Sequence, residues 1–299
     1  MKAICVGHSS YDITLPCDKF PEENIKHRIK KQIECGGGPA SNGAYLLHKW
    51  GIPTTMMSVL GDDHYADKII EDFKGINAPT THLEKLSNHF TSNSYIIANM
   101  ENGSRTIITA KDEPIRKLSI DTNTNADLIL VDGEHPETAI EVLLNNKEAI
   151  SVLDAGRLND DTKKIGKLVT YVVCSKEFAE EFSNIKINVA NTQTIVDAYK
   201  KLKEYFQTNI VITLEADGSF TEIDNSYTLV PSIKVKALDS TGAGDIFHGA
   251  FAYFIRKGYS LLDTIKYSSI TAAISVTRIG SRFSIPELEE VFNYDTIIW

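Results

Sequence analysis

The residue types that could do chemistry are concentrated in one short stretch near the carboxyl end of the chain. Gly242, Ala243 and Gly244 are followed directly by Asp245. Small residues before a helix allow backbone N–H groups to converge, and the unpaired amides of a helix N-terminus attract phosphate. A carboxylate would be out of place in a simple phosphate site, but it could deprotonate a hydroxyl that attacks the phosphorus. The stretch therefore predicts phosphoryl transfer to a small alcohol.

Asp245 also has a structural interpretation, because aspartate is a favoured residue at the start of a helix. Apolar residues at helical spacing predict a helix over 246–256, with Phe247, Phe251 and Phe254 in its core-facing stripe. This helix places Asp245 in its first turn, where it could act as a cap or as a base. A cap requires neither the paired glycines nor the nearby Asp239, so we favour the base.

The composition is that of an ordinary globular enzyme. The chain has 299 residues, 42% of them hydrophobic and 24% charged, and a formal net charge of −9. The acidic balance argues against a nucleic acid or an anionic membrane as the main partner. No apolar run approaches the roughly 20 residues of a membrane span, and the four cysteines lack a CxxC spacing. We therefore expect a cytoplasmic protein with reduced thiols.

Short β-rich runs alternate with helical patterns along most of the chain. Strands are predicted at 4–6, 55–59, 128–131, 152–153, 171–173 and 210–213. Helices are predicted at 40–49, 65–73, 138–144, 192–206, 246–256 and 261–278. Such alternation is typical of an α/β protein with a mostly parallel sheet between helices, whose ligands bind at the carboxyl ends of the strands. No repeat or linker divides the chain, so we predict a single domain over 1–299.

Two segments interrupt this alternation, 12–34 and 91–109. The first is polar and extended, and the second alternates like a hairpin that turns near Asn102 and Gly103. Both follow elements that should end at the ligand-binding edge of the sheet. We predict that they form a small β-sheet lid over the substrate. The alternative is a pair of ordinary surface hairpins.

The stretch 239–247 resembles the carboxy-terminal signature of the ribokinase-like (PfkB) carbohydrate kinase family. In that family the amides of the turn, here those of Gly242, Ala243 and Gly244, form an anion hole for the phosphoryl group. The aspartate that matches Asp245 is the catalytic base. The resemblance implies a three-layer ribokinase-like fold with a small β-sheet lid. It also implies ATP-dependent phosphorylation of a sugar hydroxyl, with Mg²⁺.

Further motifs of this family follow in order, and the resemblance assigns sugar-binding residues to them. Residues 36–42 resemble the amino-terminal glycine motif. In this motif Gly37 and Gly38 bring the backbone close to the sugar, and Asn42 can bond to its hydroxyls. Asp12 occupies the place of an early aspartate that grips sugar hydroxyls, and a carboxylate in that role rejects analogues that lack them.

Two more substrate contacts are predicted, each with an open alternative. The strand that ends at residue 131 leads into Asp132 and Glu134, and spacing alone does not decide which carboxylate faces the sugar. We carry Glu134 forward. Arg105, in the predicted lid hairpin, could reach a polar or anionic substituent of the substrate, or it could simply be solvated.

The resemblance also implies where the nucleotide binds. Residues 210–218 resemble the strand and turn that border ATP, with Glu215 where the family usually has glycine. A side chain at that position would have to swing away from the triphosphate. The predicted nucleotide contacts are Ser175, Thr213, Glu215, Gly218, Gly242, Gly244 and Ser268.

Two metal sites are predicted. Glu177 lies one residue before the place where many members carry an acid tied to water-bound Mg²⁺, and it could join that network or be an exposed acid at a helix start. The loop after the last core helix resembles the one that holds a monovalent cation in ribokinases. The predicted K⁺ ligands are Asp239, Thr241, Ser275, Arg278, Gly280 and Ser284. A competing interpretation makes Arg278 the ion-pair partner of Asp239 and the loop purely structural.

Three motifs direct the expected substrate towards a ketohexose or a modified ketohexose, because 36–40, 154–157 and 175–177 resemble members that act on such sugars. A nucleoside kinase of the same family is one alternative. A non-catalytic sugar-binding regulator is the alternative from another class. The expected partners are a small sugar and ATP, and the pairing of lid strands in this family predicts a homodimer.

Overall fold

The computed structural model describes residues 1–298, and the bounds of its elements follow the predicted alternation closely. The strands are β1 Ala3–Val6, β2 Ser10–Cys17, β3 Ile33–Gly37, β4 Thr54–Gly61, β5 Leu83–Leu86, β6 Asn93–Asn99, β7 Arg105–Ala110, β8 Leu128–Val131, β9 Ile150–Ala155, β10 Tyr171–Ser175, β11 Asn209–Thr213, β12 Ser219–Ile223 and β13 Ser226–Val230. The helices are α1 Pro39–Lys49, α2 His64–Gly75, α3 Pro136–Asn145, α4 Asp160–Gly166, α5 Lys176–Ser183, α6 Thr192–Phe206, α7 Ala243–Arg256, α8 Leu261–Ser275 and α9 Leu288–Ile298.

The main sheet has the strand order β13-β12-β11-β10-β9-β8-β1-β4-β5 within the described residues. The strands from β11 to β5 are parallel, and β12 and β13 add an antiparallel edge. Neighbouring residues of β8 face opposite sides, with Leu130 in one core cluster and Ile129 in the other. Helices α1, α2, α7, α8 and α9 cover the first side, and α3 to α6 cover the second. The predicted three-layer α/β class is confirmed.

A second, smaller sheet lies outside the main one, in the order β3-β2-β6-β7. Strands β2 and β6 pair in parallel, and the β6–β7 hairpin closes around the predicted turn. Gly103 there has φ +72°, and a Cβ added to it would lie 2.7 Å from the carbonyl oxygen of Ala237. The tip of the hairpin therefore rests against the chain just before the signature turn. Strand β7 is exposed along its length, and the homodimer stays a prediction.

The sequence missed strands β5, β12 and β13 and helices α4, α5 and α9. The helix predicted over 261–278 ends at Ser275, three residues early. Its end is fixed from outside the helix, because the Val276 carbonyl accepts hydrogen bonds from the backbone N–H groups of Leu238 and Asp239. No helix within residues 1–298 has both the length and the apolar character needed to cross a membrane.

Two glycines let helices α1 and α7 touch without side chains between them. A Cβ added to Gly249 would lie 3.0 Å from the Cα of Gly43, and one added to Gly43 would lie 2.3 Å from a methyl carbon of Leu130. Contacts this short leave no room for a side chain in a close-packed interior. The crossing brings the N-terminal ends of both helices to the carboxyl edge of the sheet.

We predict that Gly249→Val lowers the free energy of unfolding by about 1–3 kcal/mol, because the added carbons must push the two helices apart. Gly75→Ala is the matched control: Gly75 ends α2, and a Cβ there would meet nothing within 4 Å. Urea denaturation followed by circular dichroism measures both variants. Equal midpoints for the two would contradict the close crossing.

Candidate active site

The signature turn is built around a left-handed glycine. Gly242 caps α7 with φ +73°, and a Cβ on it would lie 2.9 Å from the Cβ of Ser281. Only glycine adopts this conformation at low cost. The space beside Gly244 is open, since a Cβ there would meet nothing within 4 Å. The first turn of α7 therefore faces open space beside its amides, and the amide of Ala243 makes only a 3.3 Å bond to the carbonyl of Ser240.

Asp245 is the third residue of α7 and lies half-buried in the cleft. It is not the helix cap, because Gly242 holds that position. The Nδ2 of Asn42 donates to its carboxylate at 2.9 Å. Enclosure by the protein raises the pKa of Asp245, while Asn42, His248 and Arg105 act in the opposite direction. The structure thus brings two sequence-predicted residues, Asn42 and Asp245, into direct contact.

The amide of Asn42 is only half satisfied. The residue is fully buried, and its Oδ1 has no hydrogen-bond partner in the described residues. A buried acceptor without a donor is costly, so such a site favours a ligand or a water that supplies one. An acceptor next to a carboxylate fits a hydroxyl of a substrate that approaches Asp245.

Asp12 is the second carboxylate of the site, and it is buried. Ser281 Oγ donates to one of its oxygens at 2.8 Å and Ser10 Oγ to the other at 3.1 Å. Burial raises the pKa of Asp12 to about 6; Asp245 adds to the rise, and Ser281 opposes it. A Cβ on Gly37 would lie 2.1 Å from Asp12 Oδ2. Gly37 is therefore required for the packing of this carboxylate, whatever its contact with a sugar.

Gly38, in the same amino-terminal motif, is also required by the packing of the backbone around it. Gly38 precedes α1 with φ +94°, and a Cβ there would lie 2.5 Å from the carbonyl oxygen of His8. Asp132 ties the same region together, accepting hydrogen bonds from the backbone amides of His8, Ala40 and Glu134. These backbone contacts give Asp132 a structural role, and Glu134 is left as the candidate for sugar contact.

Glu134 lies at a polar opening next to this region. It forms a 2.7 Å ion pair with Lys111, and the pair shares the opening with His8 and Ser92. Burial opposes ionisation, but nearby positive charge prevails and lowers the pKa of Glu134. The side chain is therefore a charged acceptor at neutral pH, and its contact with a sugar stays a prediction.

Arg105 joins the lid to the signature turn. Its Nη1 donates to Ser240 Oγ at 2.6 Å, and the Ser240 hydroxyl lies 3.3 Å from the carbonyl of Gly103. The guanidinium is exposed, but its charge reaches Asp245 and favours the ionised carboxylate. In this structure Arg105 is thus a clasp between lid and turn, and its contact with substrate stays a prediction.

The predicted cation loop folds around Asp239. This buried carboxylate accepts hydrogen bonds from the amide and hydroxyl of Thr241, at 2.9 and 2.6 Å, and from the amide of Gly280 at 3.0 Å. Arg278 instead pairs with Glu290. The competing interpretation, in which Arg278 neutralises Asp239, is therefore wrong. Among the described residues no cationic side chain lies within ion-pair distance of Asp239, so its surroundings fit a bound monovalent cation.

Two serines of the same loop point their hydroxyls into the protein. Ser275 Oγ donates to the carbonyl of Ala272 and Ser284 Oγ to that of Ser281. Both are buried. Their hydroxyl oxygens keep lone pairs for a cation, but no metal-binding group of three or more His, Cys, Asp or Glu residues occurs in the part of the chain that the structure describes.

The predicted nucleotide residues lie mainly at the ends of β10 and β11. Ser175 caps α5 by accepting the amide of Phe178, and Thr213 Oγ1 donates to the Cys174 carbonyl. Glu215 has φ +54° and an exposed side chain, which agrees with a position where relatives use glycine. Gly218 is required locally, because its φ is +107° and a Cβ would lie 2.1 Å from the carbonyl of Val230.

Two assignments at this end of the site fare differently. The nucleotide contact predicted for Ser268 is wrong for this structure: the residue is fully buried in α8 and its Oγ donates to the Thr264 carbonyl at 2.6 Å. Glu177 is exposed in the first turn of α5 and lines a surface depression with Glu180 and Lys186. Its link to Mg²⁺ stays a prediction.

Sequence reasoning missed three side chains that the structure places around the two acids. Ser281 holds Asp12 across 269 positions, and its only signal was its place after Gly280. His248 lies one turn beyond Gly244 on α7, and Asp154, the next-to-last residue of β9, lies beside it. The stretch 154–157 had been noticed, but without a role for Asp154.

Comparison with known proteins first identifies the class: the architecture is that of the ribokinase-like kinases. A ribokinase from Thermotoga maritima matches with a TM-score of 0.81 over 99% of both chains, at 28% identity. A ribokinase from Arabidopsis thaliana, solved in complex with ribose and ATP, matches with a TM-score of 0.79 over 98% of this chain and 97% of that one. At 20% identity, the second match supports the fold alone.

The sequence then gives the family. The profile of the pfkB family carbohydrate kinases matches residues 1–288, so the chain belongs to this family and is a carbohydrate kinase. A ribokinase from Staphylococcus aureus is 29% identical over 303 residues, which cover 97% of this chain and 98% of that protein. The predicted family and enzyme class are confirmed. The predicted preference for a ketohexose is not supported, because these relatives are ribokinases.

Proposed function

We propose that this kinase transfers the γ-phosphoryl group of ATP to a hydroxyl of a pentose, with ribose as the first candidate. The observation that carries the proposal is the contact between Asn42 and Asp245, which leaves a buried acceptor beside a carboxylate at the mouth of a helix. The site fits a hydroxyl that gives its proton to Asp245 while Asn42 orients it. The similarity to ribokinases favours a pentose over a ketohexose.

The chain's own residues would divide the work as follows. Asp12 and Asn42 bind hydroxyls of the sugar, and Glu134 accepts a hydrogen bond from another of its hydroxyls. Asp245 takes the proton of the attacking hydroxyl. The amides at Gly242, Ala243 and Gly244, together with the dipole of α7, stabilise the charge on the phosphoryl oxygens.

The nucleotide would lie along the ends of β10 and β11, where Ser175, Thr213 and Gly218 are found. Mg²⁺ would arrive with the phosphates and offset their charge, and it usually keeps several waters as ligands. Glu177, two residues after Ser175, would join the waters of that Mg²⁺. Arg105 holds the lid over the signature turn, so water is excluded from the cleft during transfer.

A panel of acceptors tests the substrate. In an ADP-release assay we expect D-ribose to give the highest kcat/KM, above 2-deoxy-D-ribose, D-fructose, adenosine and inosine. The hydroxyls of a pentose would bind to the carboxylates of Asp12 and Asp245 and to the free acceptor of Asn42. If a nucleoside or D-fructose gave the highest kcat/KM instead, the proposed pentose substrate would be wrong. If no acceptor led to ADP release, the non-catalytic sugar-binding regulator would be favoured.

Replacement of the base tests the chemistry. Asp245→Asn should lower kcat by about 10²–10⁴, the usual contribution of a general base, while sugar affinity stays within a few-fold. Isothermal titration with the sugar measures affinity separately from turnover. Asp62→Asn, at an exposed surface ion pair with Lys85, is the control and should leave kcat unchanged. Similar kcat values for the wild type and Asp245→Asn would show that Asp245 is not the general base.

The cation loop is proposed to bind K⁺ through Asp239 and neighbouring oxygens. Exchange of K⁺ for tetramethylammonium at equal ionic strength should lower both kcat and the melting temperature, because the signature turn loses its brace. In Asp239→Asn both responses to K⁺ should shrink. A melting temperature that is the same in the two salts would argue against an ion in this loop.

A further inference from the structure

A buried histidine lies directly behind the signature turn and takes no part in the reaction as described so far. His248 is one helical turn beyond Gly244 on α7 and is 5% exposed. Its Nδ1 is 2.6 Å from the carbonyl oxygen of Gly244 and 3.2 Å from Oδ2 of Asp154. Its Nε2 is 3.0 Å from the carbonyl oxygen of Val173 in β10.

The partners of this ring are all acceptors. A carbonyl oxygen has no proton to give, so Nε2 must carry a proton towards Val173 and Nδ1 must carry one towards Gly244. A neutral ring would point a lone pair at one of these oxygens at hydrogen-bond distance. The contacts therefore require an imidazolium, which donates on both sides.

Asp154 supplies the matching negative charge. It is the next-to-last residue of β9, it is 7% exposed, and its carboxylate lies beside Nδ1 of the ring. A buried cation without a partner is expensive, whereas a paired and hydrogen-bonded one is tolerated. Asp154 is the first residue of the 154–157 stretch singled out in the sequence, and the proposed reaction gives it no task.

We infer that His248, held as an imidazolium by Asp154, is a positioning residue that keeps Asp245 ionised and fixes the carbonyl of Gly244 within the phosphate-binding turn. The inference rests on the proposed role of Asp245 as the base. The base must be anionic before it can accept a proton, yet it lies in an enclosed cleft that disfavours its charge. A fixed cation on the same helix, three residues further on, offsets that cost.

The charges that face Asp245 come from every element packed around it. His248 on α7 and Arg105 on β7 favour the carboxylate, and Asn42 on α1 donates to it. Asp154 on β9 and Asp12 on β2 are the anions of the cluster. Burial, together with the charge of Asp245, raises the pKa of each of them to about 6.

The sign of the expected effect follows from this arrangement. Loss of the imidazolium removes a cation, so the pKa of Asp245 moves up and the base is protonated over a wider range of pH. The acidic limb of kcat/KM must then move to higher pH, while activity at high pH is affected less. A purely structural role for His248 would instead lower the whole profile in parallel.

The first test reads the protonation of the ring directly, without kinetics. The wild-type protein with ¹⁵N-labelled histidine rings is examined by NMR at pH 7.5, and the ring of His248 is assigned through its backbone. We expect both ring nitrogens to carry protons in the wild type and only one of them to do so in Asp154→Asn. A neutral ring in the wild type, or a ring that stays fully protonated in Asp154→Asn as in the wild type, would overturn the inference.

The second test uses kinetics with MgATP and the best sugar of the acceptor panel. A shift of about one pH unit is typical for loss of a nearby charge. Along the acidic limb of the profile, kcat/KM of His248→Gln should therefore fall up to about tenfold further below wild type than it does at the high-pH plateau. His48→Gln is the matched control, since this half-buried ring on α1 accepts from the Thr54 amide outside the site. Its profile should overlay that of the wild type.

The outcomes distinguish failure of the role of His248 from failure of the proposed kinase function. Parallel profiles for His248→Gln and the wild type would defeat the role of His248 while leaving Asp245 as the base. Absence of ADP release from every sugar in the wild type would defeat the proposed function itself. If His248→Gln does not fold, the ring spectrum of the wild type and the profile of Asp154→Asn decide the question.

Discussion

The site depends on the direct contact of two helix backbones. Gly43 and Gly249 let α1 and α7 cross with no side chain between them, and both helices begin at the carboxyl edge of the sheet. Their N-terminal ends therefore face the same cleft, where two sets of amides make the surroundings favourable for negative charge. One end carries Asn42 and the other Asp245. A hydrogen bond joins them across 203 positions in the sequence.

A single loop near the carboxyl end connects the parts of this cleft. The amide of Gly280 bonds to Asp239, the hydroxyl of Ser281 bonds to Asp12, and the guanidinium of Arg282 is buried between Asp72 and Ser41. The carboxylate assigned to the sugar and the carboxylate assigned to the cation are thus held by adjacent residues. Any displacement of this loop therefore moves both carboxylates together.

The sequence identified those site residues that lie within a recognisable local motif. Asp245 follows a glycine turn, and Asp12 and Asn42 lie in motifs of fixed spacing, so the main acids of the site were found. The strong alternation of strands and helices gave the layers of the fold. Short elements such as α4, with seven residues, carry too few turns for a periodic pattern.

The sequence could not predict contacts between residues that are far apart in the chain. Ser281 contacts Asp12, and His248 contacts Asp154, only because the folded chain brings them together. Ser268 looked available for a nucleotide, but a serine inside a buried helix satisfies its hydroxyl with the carbonyl one turn earlier. Gly37 and Gly38 were read as openings for a sugar, yet their first task is to leave room for a carboxylate and a carbonyl of the protein itself.

The clasp between Arg105 and Ser240 has a consequence for timing. The hairpin tip at Gly103 lies against Ala237, and the Arg105 guanidinium donates to Ser240 in the signature turn, so two contacts hold the small sheet to the turn. Under the proposed function, these two contacts would part each time the phosphorylated sugar leaves. Opening of the hairpin would then be one of the conformational steps of the catalytic cycle, separate from the transfer itself.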